Sequence, residues 1–320
     1  MTFFNPPRRI ETSVFTRLPD QFRKPRPTSW ADANQGGRAI DSFLEGPSFD
    51  RQGRLYVTDI PYGRIFRVSP QGGWELVSEY DGWPNGLKIH RDGRVFITDY
   101  KRGIMLLDPA SGSVTPFLET AASESFKGVN DLVFAPSGNL YFTDQGQTGM
   151  HDPSGRVWKL TPDGRLTCLV NTIPSPNGIV VDHEEGFLLV AVTRANQIWR
   201  VPLPASGLIT KVSIFAHLHG GPGGPHWTTA AICSSVIPAS VRCGGCRLWP
   251  SPSIASFPVP VLARPISRLA VRSGRLSSSR KAARERCCRL PSKRRACRCS
   301  RTRIRTLTRD VRLASRFEKG

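Results

Sequence analysis

The first 225 residues repeat themselves, and a repeat of this kind limits the chain to folds assembled from one unit copied in series. GRLYVTD (53–59), GRVFITD (93–99), GNLYFTD (138–144) and GFLLVAV (186–192) start at glycines spaced 40, 45 and 48 residues apart. Each is followed by a second apolar run and a turn: GRIFRVSPQG (63–72), GIMLLDPASG (103–112), GRVWKLTPDG (155–164) and NQIWRVPLPASG (196–207). Apolar runs rich in β-branched and aromatic residues, bounded by Gly, Pro, Asp and Ser, read as strands joined by tight turns. No sustained 3.6-residue apolar period competes with that reading, so helices are expected to be minor. Units of this size holding several antiparallel strands match propeller blades. The expectation is an all-β chain of β-propeller type with about four recognisable blades between residues 40 and 222. Residues 1–39 would form an arm able to add an outer strand.

A second regularity lies upstream of the turn glycines. In LEGPSFD (44–50), WPNGLKI (83–89) and GVNDLVF (128–134), the residues Glu45, Asn85 and Asn130 stand 8 positions before the repeat glycine; in SPNGIVV (175–181), Asn177 stands 9 before it. Equivalent positions in a propeller are related by rotation about its axis, so these side chains converge. One carboxylate with several amide oxygens, and no sulfur or imidazole, suits a hard divalent cation. The competing reading is turn chemistry, because Asn and Gly both tolerate positive φ. An acid in phase, and an Asn not followed by Gly, weigh against turn chemistry alone.

These residues resemble the gluconolactonase, regucalcin (senescence marker protein) and diisopropylfluorophosphatase group of six-bladed propellers. The EGP turn with Glu45, the pair Asn130 and Asp131, the PNG turn with Asn177 and the GNLYFTD-type strands carry the likeness over residues 40–222. The resemblance implies a metal-dependent hydrolase that opens a sugar lactone or related ester. Glu45, Asn130 and Asn177 would hold the cation and Asn85 would be a second-rank ligand. Ca2+ is the first choice, with Mg2+, Mn2+ and Zn2+ as alternatives, and Asp131 would serve orientation or proton transfer. The group's fourth ligand is an Asp in a GPDG turn opening the fifth blade, where this chain reads GGPGG (220–224). Its loss puts activity in question, and a non-catalytic propeller that binds a ligand is the alternative.

Composition changes where the repeat stops. The formal charge is +20, yet residues 226–320 hold 22 basic and 3 acidic residues, leaving 23 and 22 for the first 225. Seven of eight cysteines also lie there, with only Cys168 in the body. No strand or repeat is expected beyond residue 222. Regrouping the codons of residues 226–234 from the third base can spell LDYGGNLL, a fair copy of the blade consensus, so residues 223–320 read as an out-of-frame translation or a disordered segment. Taken at face value the cationic run at 280–305 would contact phosphate backbones, but it lacks aromatic platforms, and nucleic acid is not expected as a partner. Its cysteines lack paired CxxC spacing for zinc. No run approaches the roughly 18 apolar residues that span a bilayer, and MTFFNPPRRIETS lacks a secretory pattern, so a cytoplasmic chain without membrane contact is expected. His217 and His219 read as a surface loop.

Overall fold

Each repeat folds into a four-stranded antiparallel meander. The computed structural model describes residues 13–23, 25–218, 220–227 and 232–236. The first blade comprises β1 (Leu44–Phe49), β2 (Leu55–Asp59), β3 (Arg64–Val68) and β4 (Trp74–Glu79). The second comprises β5 (Pro84–Ile89), β6 (Val95–Asp99), β7 (Gly103–Leu107) and β8 (Val114–Leu118). A short hairpin, β9 (Thr120–Ala121) and β10 (Glu124–Ser125), leads to the third blade: β11 (Val129–Phe134), β12 (Leu140–Asp144), β13 (Gly155–Leu160) and β14 (Leu166–Ile173). The fourth comprises β15 (Pro176–Val181), β16 (Phe187–Val192), β17 (Gln197–Pro202) and β18 (Ser213–His217). In all four the sheet order follows chain order, and the arrangement is an all-β, propeller-like series of four blades.

The second strand of each blade is buried on both faces, which is why LYVTD, VFITD and LYFTD read as continuous apolar runs. Tyr56 and Ile65 of the first blade pack against Leu87, Ile97 and Met105 of the second. Phe96 and Ile104 meet Val129, Leu132 and Phe142 of the third, and Tyr141 and Val157 meet Ile179, Leu188 and Val190 of the fourth. Each apolar layer is therefore shared between neighbours, and no blade would bury its faces alone.

Threonines stitch the inner strands together. Thr58 Oγ1 donates to the Asn85 carbonyl, Thr98 Oγ1 to that of Asn130 and Thr143 Oγ1 to that of Asn177, each at 2.6 Å. Thr98 Oγ1 also accepts from Gly86 N at 2.7 Å, and Thr143 Oγ1 from Asp131 N at 3.1 Å. The fourth blade has Ala191 at this place, and Thr193 Oγ1 instead reaches the Pro222 carbonyl at 2.8 Å.

Several expectations need correction. Among the described residues the arm adds no outer strand: it forms a 3-10 turn (Asp20–Phe22) and a short helix, α1 (Ser29–Gln35). Thr28 caps α1, its Oγ1 accepting from Ala31 N at 3.2 Å, and Gly36 ends it at φ +62°. Leu18 and Phe22 of the arm pack against Leu55, Val57 and Phe66, an apolar face of the first blade that no other blade covers among the described residues. Strand structure also continues past residue 222, since β19 (Pro222–Trp227) pairs with β20 (Ile232–Val236). Pro222-Gly223-Gly224 repeats the Pro-X-Gly opening of β5 and β15, and ICSSV has strand character. Residues 237–320, with the cationic run and six of the seven tail cysteines, lie outside the described residues, as does His219. His217 is exposed on β18. No helix among the described residues is long and apolar enough to cross a membrane.

Candidate functional site

Three sets of in-phase residues build one cavity of about 240 Å3. Glu45, Asn85, Asn130 and Asn177, singled out by their spacing, all line it. Two positions earlier in the repeat come Phe43, Trp83 and Ser175; just after the second strand of each blade come Ile60, Tyr100, Gln145 and Thr193, and these line it too. One backbone hydrogen bond per blade ties these flanking sets together: Ile60 N to Phe43 O (3.2 Å), Tyr100 N to Trp83 O (3.0 Å), Gln145 N to Gly128 O (2.8 Å) and Thr193 N to Ser175 O (3.1 Å). Trp30, Asn34 and Gln35 of α1 add a rim from the arm.

The inner strands aim the first set by a shared irregularity. The ladder shifts register between Glu45 and Ser48, Pro84 and Leu87, Val129 and Leu132, and Pro176 and Ile179. A bulge breaks strict alternation and redirects the side chain at that point. Close approach then demands glycine: a Cβ on Gly46, whose φ is +57°, would lie 2.4 Å from the Asn85 carbonyl, and one on Gly86 would lie 2.7 Å from Thr98 Oγ1.

The fourth unit's odd spacing also has a structural reason. Gly53, Gly93 and Gly138 hold positive φ at the β-turn between the first two strands, each N–H bonding the carbonyl three residues back. In the fourth blade that role belongs to Glu185 (φ +56°), whose N–H bonds the Asp182 carbonyl at 3.1 Å. Glu185 stands 8 residues after Asn177, so the phase is conserved and only the glycine has moved. Hydrogen bonds of 2.6 Å from Asn139 Nδ2 and from the Tyr141 hydroxyl to Glu185 Oε1 hold the strained residue.

Among the described residues, Glu45 is the only carboxylate that lines the cavity and Arg194 the only cation. Burial pushes the Glu45 carboxyl up to about 7; the Asp131 carboxylate adds to the rise, while the Gly46 N–H and Lys88 oppose it. Asn130 is buried, and its Nδ2 donates to Gln145 Oε1 at 2.8 Å. Asp131 does not line the cavity. The bulge turns it aside, where Oδ1 accepts from Lys88 Nζ (3.2 Å) and Leu132 N (2.9 Å), and Oδ2 from Ile179 N (3.3 Å). The fifth in-phase position is Gly223, which also lines the cavity but brings no side chain. No group of three or more His, Cys, Asp or Glu side chains clusters among the described residues, so any cation here would rely on amide and carbonyl oxygens beside Glu45.

Reading by spacing missed Gln145, Tyr100, Trp83, Ser175 and the arm residues. The signal for Tyr100 and Gln145 was available, because each follows the repeated Thr-Asp pair, but their differing chemistry hid the shared phase.

Comparison with known proteins bears on the same residues. Residues 43–226 match the SMP-30/Gluconolactonase/LRE-like region. Lactonase drp35 of Staphylococcus aureus strain MRSA252 is 34% identical over 175 residues, 52% of this chain and 52% of that protein. Its counterpart in Staphylococcus epidermidis is 31% identical over the same length and shares. The chain thus spans about half the length of the curated relatives it matches. At the level of fold, a gluconolactonase from Xanthomonas campestris superposes with a TM-score of 0.55 at 22% identity, over 61% of this chain and 70% of that one. A chain of a nidogen/laminin complex superposes with a TM-score of 0.50 at 19% identity, over 62% and 74%. Since the matched segment exceeds half of the sequence and contains all four blades with their in-phase cavity residues, the chain belongs to the SMP-30/gluconolactonase/LRE-like family.

Proposed function

We propose that the cavity binds one divalent cation, Ca2+ first, and that the chain derives from hydrolases that open a lactone or related ester. The observation carrying this reading is that Glu45, Asn85, Asn130 and Asn177 occupy one phase of four blades and line one cavity. The donor chemistry fits: Glu45 is a desolvated carboxylate, and the Asn130 amide is pinned through its nitrogen, leaving Oδ1 without a hydrogen-bond donor among the described residues. Glu45, Asn130 and Asn177 would be ligands, with Asn85 beside them. A bound cation supplies Lewis-acid polarisation of the ester carbonyl. The chain's own part is to orient the substrate between Trp83, Tyr100 and the amides, and to exclude water with the α1 rim. Asp131, tied to Lys88, contributes negative charge from behind Glu45 rather than proton transfer.

With Gly223 at the fifth in-phase position, the described residues bring no second carboxylate into the cavity that could take a proton from attacking water. Replacing it tests this directly. Gly223→Asp is expected to tighten Ca2+ binding at least tenfold by calorimetry and to raise gluconolactone hydrolysis above the parent chain, since ligand charge tunes such sites. Unchanged affinity in a folded variant would count against the cavity as a cation site. A non-catalytic binding module is the second reading, favoured by the missing side chain at Gly223; calcium retention without turnover of any lactone would select it. For the tail, we propose a one-base slip near codon 223, so that the basic charge has no role. Resequencing that region should reveal blade-like sequence in another frame, and a confirmed frame would refute it. If the tail is genuine and binds nucleic acid, deleting residues 226–320 would abolish salt-sensitive DNA binding.

A further inference from the structure

We infer that Gln145 is a positioning residue that locks the Asn130 amide with its oxygen available to a cation in the cavity; this rests on the cation reading above. An unrestrained Asn amide presents oxygen or nitrogen with similar ease, and only the oxygen is a ligand. Here the nitrogen is committed: Asn130 Nδ2 donates to Gln145 Oε1 at 2.8 Å. The orientation of Gln145 is fixed in turn, because its Nε2 donates to Ser175 Oγ at 2.8 Å.

The far end of this relay is itself anchored. Ser175 is buried and holds φ +55°, a conformation that a non-glycine residue keeps only when its surroundings impose it. Its N–H donates to Thr148 Oγ1 at 2.9 Å, and that hydroxyl donates to the Gln145 carbonyl at 2.6 Å. The loop closes on Gln145, joining the third blade to the residue that opens the fourth.

The blades differ in this respect. Of the residues at the position of Gln145, Ile60 is apolar, Tyr100 meets Gln147 and Thr193 meets the Pro222 carbonyl. Among the described residues, Asn130 is therefore the one in-phase amide whose side chain is held by another side chain. The order of preorganisation is Asn130 first, with Asn85 and Asn177 free to adjust.

The full chain loaded with Tb3+ as a calcium probe tests this, the luminescence lifetime in H2O and D2O reporting the number of coordinated waters. Gln145→Leu, which cannot accept from Asn130, is expected to gain about one coordinated water and to bind roughly 10- to 100-fold more weakly, as loss of an outer-shell partner does elsewhere. Gln145→Glu keeps an acceptor for Nδ2 and is expected to restore the parent water count. In an Asn130→Ala background, Gln145→Leu should change neither quantity further. Gln145→Leu with parent hydration and affinity would overturn the inference. Should the parent chain bind no Tb3+, the cation reading itself fails; the orientation is then read by NMR, where the Asn130 side-chain amide should exchange slowly with solvent in the parent and fast in Gln145→Leu. Equal exchange in both would refute the lock.

Discussion

Glu45 sits where a carboxylate is costly without a positive partner, half-buried in the cavity with Asp131 behind it. Its folded pKa of about 7 lies above the ordinary 4.5, so between those values the folded state holds more protons than the unfolded one. Stability contributed by Glu45 is then full below about pH 4.5 and declines as pH rises to about 7. Urea unfolding of the parent against Glu45→Gln should show this: the parent loses stability relative to the variant across that window and no further above it. A parallel pH dependence in both chains would refute the shift. A cation must displace the same proton, so Ca2+ affinity should fall roughly tenfold per unit as pH drops below 7.

At the scale of the strand, the repeated Thr-Asp ending serves two ends. The aspartates are buried anchors: Asp59 pairs with Arg64 and accepts from Phe43 N at 2.8 Å, Asp99 accepts from the Tyr80 hydroxyl at 2.7 Å, and Asp144 accepts from Gly128 N at 2.8 Å. The threonines carry the blade-to-blade bonds. Thr98→Val preserves shape but strands the Gly86 N–H and the Asn130 carbonyl, both in a buried setting. A loss of about 1–3 kcal/mol is expected, read as a lower urea midpoint with unchanged m. A loss below about 0.5 kcal/mol would show these bonds to be replaceable by water. The fourth blade departs at both places, with Ala191 and Val192, and its link to the next strand passes through Thr193 instead.

For the whole molecule, the apolar face of the first blade turned away from the second is the physical problem, since among the described residues no other blade covers it. The arm answers it with Leu18, which is 3% exposed, and Phe22. Leu18→Ala should lower stability by about 2–5 kcal/mol, the range for a buried leucine, as measured by denaturant unfolding. A change under about 1 kcal/mol would mean that the arm lies on the blade without supporting it. The blade series and the four in-phase residues were legible in the sequence, because a fixed period repeats both local strand propensity and rotational position. Several features were not: Asp131 turned from the cavity while Asn130 faces it, the displaced turn at Glu185, the arm over the first blade, and the Asn130–Gln145–Ser175 relay. Each depends on contacts between residues distant in the chain or on a bulge that overrides alternation. The period determined which positions are equivalent, and only the packing of blade on blade decided which side chains at those positions meet.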